Sequence, residues 1–582
     1  MVGLVLGPLL RCVEGTSATV WVEVDAPCEV EVDAGPGRGT AHTVAVAGRH
    51  YALVVVRDLP PAAGTPYTVA LDGEAVWPEA GADLPPSVIR TADPSRPVQV
   101  VFGSCRIDAP HEPPWDGPHT TDERGMGVDA LDALARRLAR GETDDRPDLL
   151  ALLGDQIYAD AVVDGHGERP DRGPDGAPPR SVADLDGYVE VYHRTWSTPH
   201  VRWLLSTVPS TMVFDDHDIV DDWNLSAAWL ARIARQPWWD DRISGGLVSY
   251  WIYQHWGNLP PSALADDPVS VAVAGSDDAT DLLTELADGW RLDRSDPRAH
   301  RWSTTRDIMG SATVRLVMVD TRNSRRLTEG DRAIVDDDEM AWIEDRARVD
   351  RDGLDHLLIG SPLPWLLPEG VHDVERSADA LGGGRWGPLG RWLAERARRA
   401  GDLEHWASFG DSFEALAALI TSVASGAQGP PPSSVLVLSG DVHFSYLAWA
   451  EVDTSDGSDL ASAAATGSGG PDGGAPARVV QLVCSPLRNG VPANLQRVLR
   501  LASSRVGRLA GHLARRTAAH GDEPVDWRLD EGPWFGNFVA SLTFDGRTAT
   551  VRFERSRHDP DGRADLVTVH EERLAGPPQR AR

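Results

Sequence analysis

The chain has 582 residues, 41% of them hydrophobic, so it is composed like an ordinary globular protein and is long enough for more than one domain. Its 88 acidic residues against 56 basic ones leave a net charge of −32, which repels a polyanionic duplex at long range and makes nucleic acid a poor partner. Every basic residue is arginine, and without lysine neither a P-loop nor a Schiff base can be built.

The chain opens on a short apolar run, Met1 to Arg11, with no basic stretch before it and no twin arginine, so it does not read as a secretory signal. Period-two alternation follows in Ala18 to Val24, Glu29 to Val32, Thr43 to Val46, Tyr51 to Val56 and Tyr67 to Leu71. Short strands separated by Gly, Pro and Asp clusters predict a small antiparallel β-sandwich over residues 1–95, with Pro85 to Pro97 as a linker.

Beyond it the pattern becomes that of an α/β domain over residues 96–582, with buried strands alternating with helices. Val98 to Phe102 and Leu149 to Leu153 are continuous apolar strands flanking an amphipathic helix, Val128 to Arg140. Further strands are Thr211 to Phe214, Val314 to Val319, His356 to Ile359, Val435 to Leu438 and Val479 to Val483. Asp164 to Arg180 and Thr454 to Ala477, rich in Gly, Pro, Asp and Ser, are predicted surface loops. Helices near Asn494 to Arg516 precede a closing β segment, Asn537 to Phe553. The aromatic residues between Trp223 and Trp256 read as buried helical turns rather than a pocket wall. Four scattered cysteines, Cys12, Cys28, Cys105 and Cys484, make no disulfide framework, and no run of about 18 apolar residues occurs. The expectation is a soluble, cytoplasmic protein with no membrane partner.

In open α/β sheets chemistry gathers beyond the carboxyl ends of strands. Four of the predicted strands end in polar clusters: Gly103-Ser104-Cys105-Arg106, Gly154-Asp155-Gln156-Ile157-Tyr158-Ala159-Asp160, Asp215-Asp216-His217-Asp218, and Ser439-Gly440-Asp441-Val442-His443. Each has a plain alternative: a Gly-Asp turn, a packed tyrosine, a small buried cysteine, an acidic capping turn, an exposed strand end. Together they are hard to explain by folding, because carboxylates at this density repel unless a cation sits among them. Asp, His, Tyr and thiolate are all competent metal ligands. Asp441 and His443, two apart, share a face if the backbone is extended.

This set of motifs, in this order, resembles the alkaline phosphatase D family of the calcineurin-like metallophosphoesterase superfamily, related to purple acid phosphatases; Val319-Asp320-Thr321-Arg322 fits as well. The resemblance implies a fibronectin type III-like sandwich followed by a metallophosphoesterase core of two packed β-sheets flanked by helices. It implies that Asp155 bridges two metals and that Tyr158, Cys105 and His443 complete a ferric (Fe3+) site. Asp216 and Asp441 would hold the second metal, calcium (Ca2+), and His217 would sit by the substrate outside the metal shell. The ligand chemistry agrees in kind, since an oxygen-rich site suits calcium and a phenolate with a thiolate suits trivalent iron. Asp215 and Asp218 fit as carboxylates that orient the ligands. Arg106 and Arg322 could clamp a phosphate, although an ion pair is the leading reading for each.

The expected reaction is hydrolysis of a small phosphate monoester or diester by metal-activated water, with His217 as acid. The alternative is a non-catalytic metal- or phosphate-binding protein on the same fold, which would have no use for His217. The chain departs from the family in lacking a twin-arginine signal and in having Asp218 where glutamate is also common. No further ligand is identified between Asp216 and Asp441; Ile359-Gly360-Ser361-Pro362 occupies the place without offering one.

Overall fold

The computed structural model describes all residues except 142–145, 164–179, 293–295, 297–298, 452–474, 503–506, 508, 510, 513–522 and 577–582. Most of the two predicted surface loops lies outside the described residues. Of the stretch 494–516, the structure describes a helix at Ala493–Ala502 and single residues beyond it.

The first ninety residues form two four-stranded antiparallel sheets. One runs Leu4–Glu14, Ser17–Val24, Arg49–Val56, Val44–Val46, and the other Gly37–His42, Glu29–Ala34, Thr68–Leu71, Glu74–Trp77. Alternation turns Val20, Val22, Val54, Val30, Val32 and Val69 into one shared core. The apolar run at the start of the chain belongs to the first strand of this unit. Two residues of the opposite face, Trp21 and Leu53, pack instead with Trp196, Trp239 and Tyr253, so the first unit shares a core with the rest of the chain. The predicted linker is also structured: Val88–Arg90 pairs with Gly64–Pro66, and Arg90 Nη2 donates to Asp148 Oδ1 at 2.7 Å.

Two larger sheets form the remainder. A six-stranded sheet runs Ser210–Val213, Leu149–Leu153, Val98–Gly103, Phe538–Asp545, Thr548–His558, Ala564–Ala575. A seven-stranded sheet runs Thr304–Met309, Thr313–Met318, His356–Gly360, Ser434–Ser439, Arg478–Val483, Ser445–Glu451, Asp526–Trp534. Their central strands are parallel, and parallel strands covered on both faces read as unbroken apolar runs such as Leu149–Leu153. Phe102, Leu153, Leu316, Leu358, Leu438 and Leu482 fill the space between the sheets. On the outer face of the seven-stranded sheet, Ile343, Leu416 and Ile420 of the helices Asp337–Arg348 and Gly410–Ser425 cover Val317, Ile359 and Val437. The helix Ala130–Arg140, started by Asp129 accepting from the Leu131 and Asp132 amides, lies over the six-stranded sheet. Trp223, Trp239, Trp251 and Tyr253 are buried, so the aromatic stretch is packing. No helix among the described residues is long and apolar enough to cross a membrane.

Candidate metal centre

The parallel strands deliver their carboxyl ends to one rim, and the glycines there let the ends come close. Gly154, at φ +101°, would place a Cβ 2.7 Å from the Asp215 Cβ, and a Cβ on Gly440 would lie 2.0 Å from Ser104 Oγ. All seven side chains expected from the sequence meet at this rim. Tyr158 Oη lies 3.5 Å from Asp155 Oδ2 and 3.3 Å from His443 Nε2. Cys105 Sγ lies 3.7 Å from the Asp441 carbonyl oxygen and within an apolar contact cluster with Tyr158. Asp155, Asp216 and His217 offer ligand atoms within 4.8 Å of one another, and so do Asp215, Asp216 and Asp441. Asp216 belongs to both groups, which gives two adjoining positions for a cation. His217 thus lies within ligand range, although the resemblance places it outside the metal shell.

The backbone differs from the expectation for Asp441 and His443. Both take left-handed conformations, at φ +62° and +57°, so the segment is not extended and its two side chains diverge. Asp441 turns to His405, whose Nε2 is 3.0 Å from its Oδ2, while His443 turns to Tyr158 and Asn489. Cys105 and Asp155 are left-handed too, at φ +57° and +50°. Non-glycine residues adopt this region at a cost, and such residues concentrate at functional sites.

The residues fit a cation on electrostatic grounds. Asp155 Oδ1 and Asp215 Oδ2 are buried without a hydrogen-bond partner, and Asp216 Oδ1 has only the Arg322 guanidinium beside it. Leaving such a group unsatisfied costs roughly 1–3 kcal/mol, more for a charge. Burial pushes the Asp155 carboxyl well above the usual range; His217 opposes this, and Asp215, Asp216 and Asp218 add to it. Burial likewise raises the Cys105 thiol and the Tyr158 phenol, and lowers the His443 imidazole to about 4. A cation among them would reverse this logic and favour the deprotonated ligands. The nearest fixed positive charge is Arg322, fully buried. It pairs with Asp215 and with Glu404, and its Nη2 lies 3.2 Å from Asp216 Oδ1. Arg106 also forms a buried ion pair, its Nη2 2.7 Å from Asp129 Oδ2. The ion-pair reading therefore describes both arginines.

Four further groups complete the geometry. Asp160 holds His217 Nδ1 at 2.9 and 3.1 Å, and the two aromatic rings of Tyr158 and His217 stack 4.4 Å apart. Burial alone would lower the His217 imidazole, but Asp160, Asp216 and Asp155 outweigh it and raise its pKa well above the ordinary value. Asn489 Nδ2 donates to Tyr158 Oη at 2.9 Å. His405 bridges Glu375 and Asp441, its Nδ1 2.6 Å from Glu375 Oε1, and supplies a side chain between the Asp216 and Asp441 motifs where Ile359-Gly360-Ser361-Pro362 offered none. Asp218 ties the loops: its carboxylate accepts from the amides of Asp155, Asp215 and Ile157 at 3.0, 3.0 and 3.3 Å. Asn489 was within reach of sequence reasoning, since it lies just past the strand Arg478–Val483. His405 was not, because it follows a helix and no strand points to it.

Residues 130–268 match the model of the PhoD-like phosphatase family, and residues 1–89 match a domain of unknown function (DUF7800). No curated protein matches the chain. A solved structure described as that of PhoD is similar to it with a TM-score of 0.55 at 12% identity, over 99% of this chain and 93% of that one. A purple acid phosphatase, PPD1 from yellow lupin (Lupinus luteus) seeds, gives a TM-score of 0.47 at 11% identity, over 96% of this chain and 74% of that one.

Proposed function

We propose that this chain, which belongs to the PhoD-like phosphatase family through residues 130–268 and is a phosphoric ester hydrolase, cleaves small phosphate esters at a dinuclear metal centre with His217 as the acid. The observation that carries the reading is the gathering of buried carboxylates, with Asp155 Oδ1 and Asp215 Oδ2 lacking hydrogen-bond partners and Asp216 between them, beside a phenol, a thiol and an imidazole. Cys105, Asp155, Tyr158 and His443 would hold ferric iron; Asp155, Asp216 and Asp441 would hold calcium. Bound there, the ions supply Lewis acidity toward phosphoryl oxygens and lower the pKa of a water molecule.

The protein's own groups do the rest. Asp160 occupies His217 Nδ1, so Nε2 is the nitrogen left to carry a proton toward the leaving oxygen. Tyr158 stacks on the imidazole and excludes water from one of its faces. The Asn489 amide fixes the Tyr158 oxygen, and Arg322 restrains the Asp215 and Asp216 carboxylates that would otherwise repel each other. The two antiparallel sheets support a fibronectin type III-like sandwich over 1–95 beside a catalytic domain over 96–582. Four unpaired, buried thiols support a reducing, cytoplasmic setting.

The test is metal analysis and a visible absorption spectrum of the purified protein beside its Tyr158→Phe variant. A phenolate on ferric iron gives a charge-transfer band that the variant loses. A colourless, metal-free wild type refutes the assignment.

A further inference from the structure

Asn489 faces two ways. Its amide donates to Tyr158 Oη at 2.9 Å, and on its other side a groove of about 440 Å3 opens between the Thr548–His558 strand and the Ala493–Ala502 helix. Asn489 is thus shared between the groove wall and the candidate centre, where its side chain reaches Tyr158 and His443. Its floor is rigid: Asn537 Oδ1 accepts from the Asn489 amide at 3.0 Å, and Asn537 Nδ2 donates to the Met126 and Val128 carbonyls at 2.8 Å each.

The charge of the groove runs against that of the molecule. In a chain of net charge −32, it is lined by Arg500, Arg555 and Arg557, with His119 and His558, against a single carboxylate, Asp116. That carboxylate is engaged, with His558 Nε2 3.2 Å from Asp116 Oδ2. Among the described residues, none of the three arginines forms an ion pair; Arg557 stands opposite Asp565 across the strand pair without one. Arg500 rests its guanidinium over the Phe535 ring at 4.7 Å. Arg555 and Arg557 are two apart on one strand and therefore project to the same side. Gly536, at φ +114°, leaves room for Arg555, because a Cβ there would lie 3.2 Å from the Arg555 Cδ. Guanidinium groups that are always charged and present planar pairs of donors suit phosphate and carboxylate.

We propose that the substrate carries a second anionic group, a phosphate or carboxylate, beyond the ester that is cut, and that Arg500, Arg555 and Arg557 receive it. This inference rests on the hydrolase reading and narrows it to phosphate esters that carry a second anionic group. The groove gives specificity and takes no part in bond cleavage.

The experiment compares phenyl phosphate with 4-(phosphonomethyl)phenyl phosphate, which differ by one anion that cannot itself be hydrolysed, on the metal-loaded enzyme. The expected result is a KM preference of roughly tenfold for the ester that carries the phosphonate, falling as salt screens the contacts. Arg555→Gln with Arg557→Gln brings the ratio of kcat/KM values toward one, while Arg555→Lys with Arg557→Lys keeps much of it. Arg500→Gln, on a helix surface, reports independently should the strand variants fold poorly. Equal KM values in the wild type, or an unchanged ratio in the glutamine variants, overturn the proposal alone. Hydrolysis of neither ester overturns the hydrolase reading and takes this proposal with it.

Discussion

Gly440 and Ser104, each just past a strand end of a different large sheet, are in contact, and replacing Gly440 with alanine tests whether that contact assembles the centre. The added methyl would lie 2.0 Å from Ser104 Oγ, 2.3 Å from Ser104 Cβ and 3.2 Å from the Leu153 carbonyl oxygen. Rotating the hydroxyl away cannot relieve the clash, because the serine Cβ itself is in the way. Nor can Ser104 retreat, since it is fully buried and its carbonyl accepts from the Leu487 amide at 2.7 Å. The strand ends must part, at about 1–3 kcal/mol for overpacking. Parting also breaks the bond from the Asp441 amide to Ser104 Oγ, now 3.2 Å, at about 1 kcal/mol more. Gly440→Ala is therefore expected to lower stability by about 3 kcal/mol and to reduce metal content. Thermal midpoints and metal analysis of wild type, Gly440→Ala, Ser104→Gly and the double variant form a cycle. Ser104→Gly removes both clashing atoms, so the double variant should be more stable than Gly440→Ala alone. If the two substitutions simply add, the sheets do not meet through this pair and the reasoning fails.

His217→Ala is expected to keep the metals while turnover falls by roughly 10²–10⁴, the usual worth of a general acid; unchanged turnover removes His217 from the mechanism. A second prediction concerns His356, far from the rim. Its Nε2 donates to the Gly546 carbonyl and its Nδ1 accepts from Ser434 Oγ, both at 2.9 Å, and burial lowers its pKa to about 4. Because the folded pKa lies below the unfolded value of about 6.5, its contribution is complete above pH 6.5 and is lost as pH falls from there toward 4. The loss is about 3 kcal/mol at the acid end, and thermal midpoints against pH should fall less steeply in His356→Gln.

The buried parallel strands were legible because covering both faces leaves an unbroken apolar run, as in Leu149–Leu153 and Ser434–Ser439. Two strands at sheet edges were not, whereas Ser210–Val213, also at an edge but fully buried, was. Asp526–Trp534 and Ala564–Ala575 are half-exposed and carry charges, at alternate positions in the first and in the run Glu571 to Arg573 in the second, which reads as loop. The first strand was hidden differently, since its apolar residues invite comparison with a signal segment. At the centre, the strand-end motifs identified the expected side chains, whereas His405 and the pairing of Asp160 with His217 depend on tertiary contacts between segments that no local pattern joins.

The four left-handed residues at the rim explain why the motifs had to occur together. Cys105, Asp155, Asp441 and His443 cannot become glycine without losing the side chains proposed as ligands, so the strain of roughly 1–2 kcal/mol at each must be offset locally. Each backbone N–H is held by another segment of the same rim. Cys105 donates to the Gly154 carbonyl at 3.2 Å, Asp155 to Asp218 Oδ2 at 3.0 Å, Asp441 to Ser104 Oγ at 3.2 Å, and His443 to Ser485 Oγ at 3.3 Å. The Cys105 loop thus leans on the residue before Asp155, and the Asp441 loop on the residue before Cys105. A change at one strand end slackens the backbone of the next ligand, so the segments are constrained as a set even though they lie from 42 to 337 residues apart.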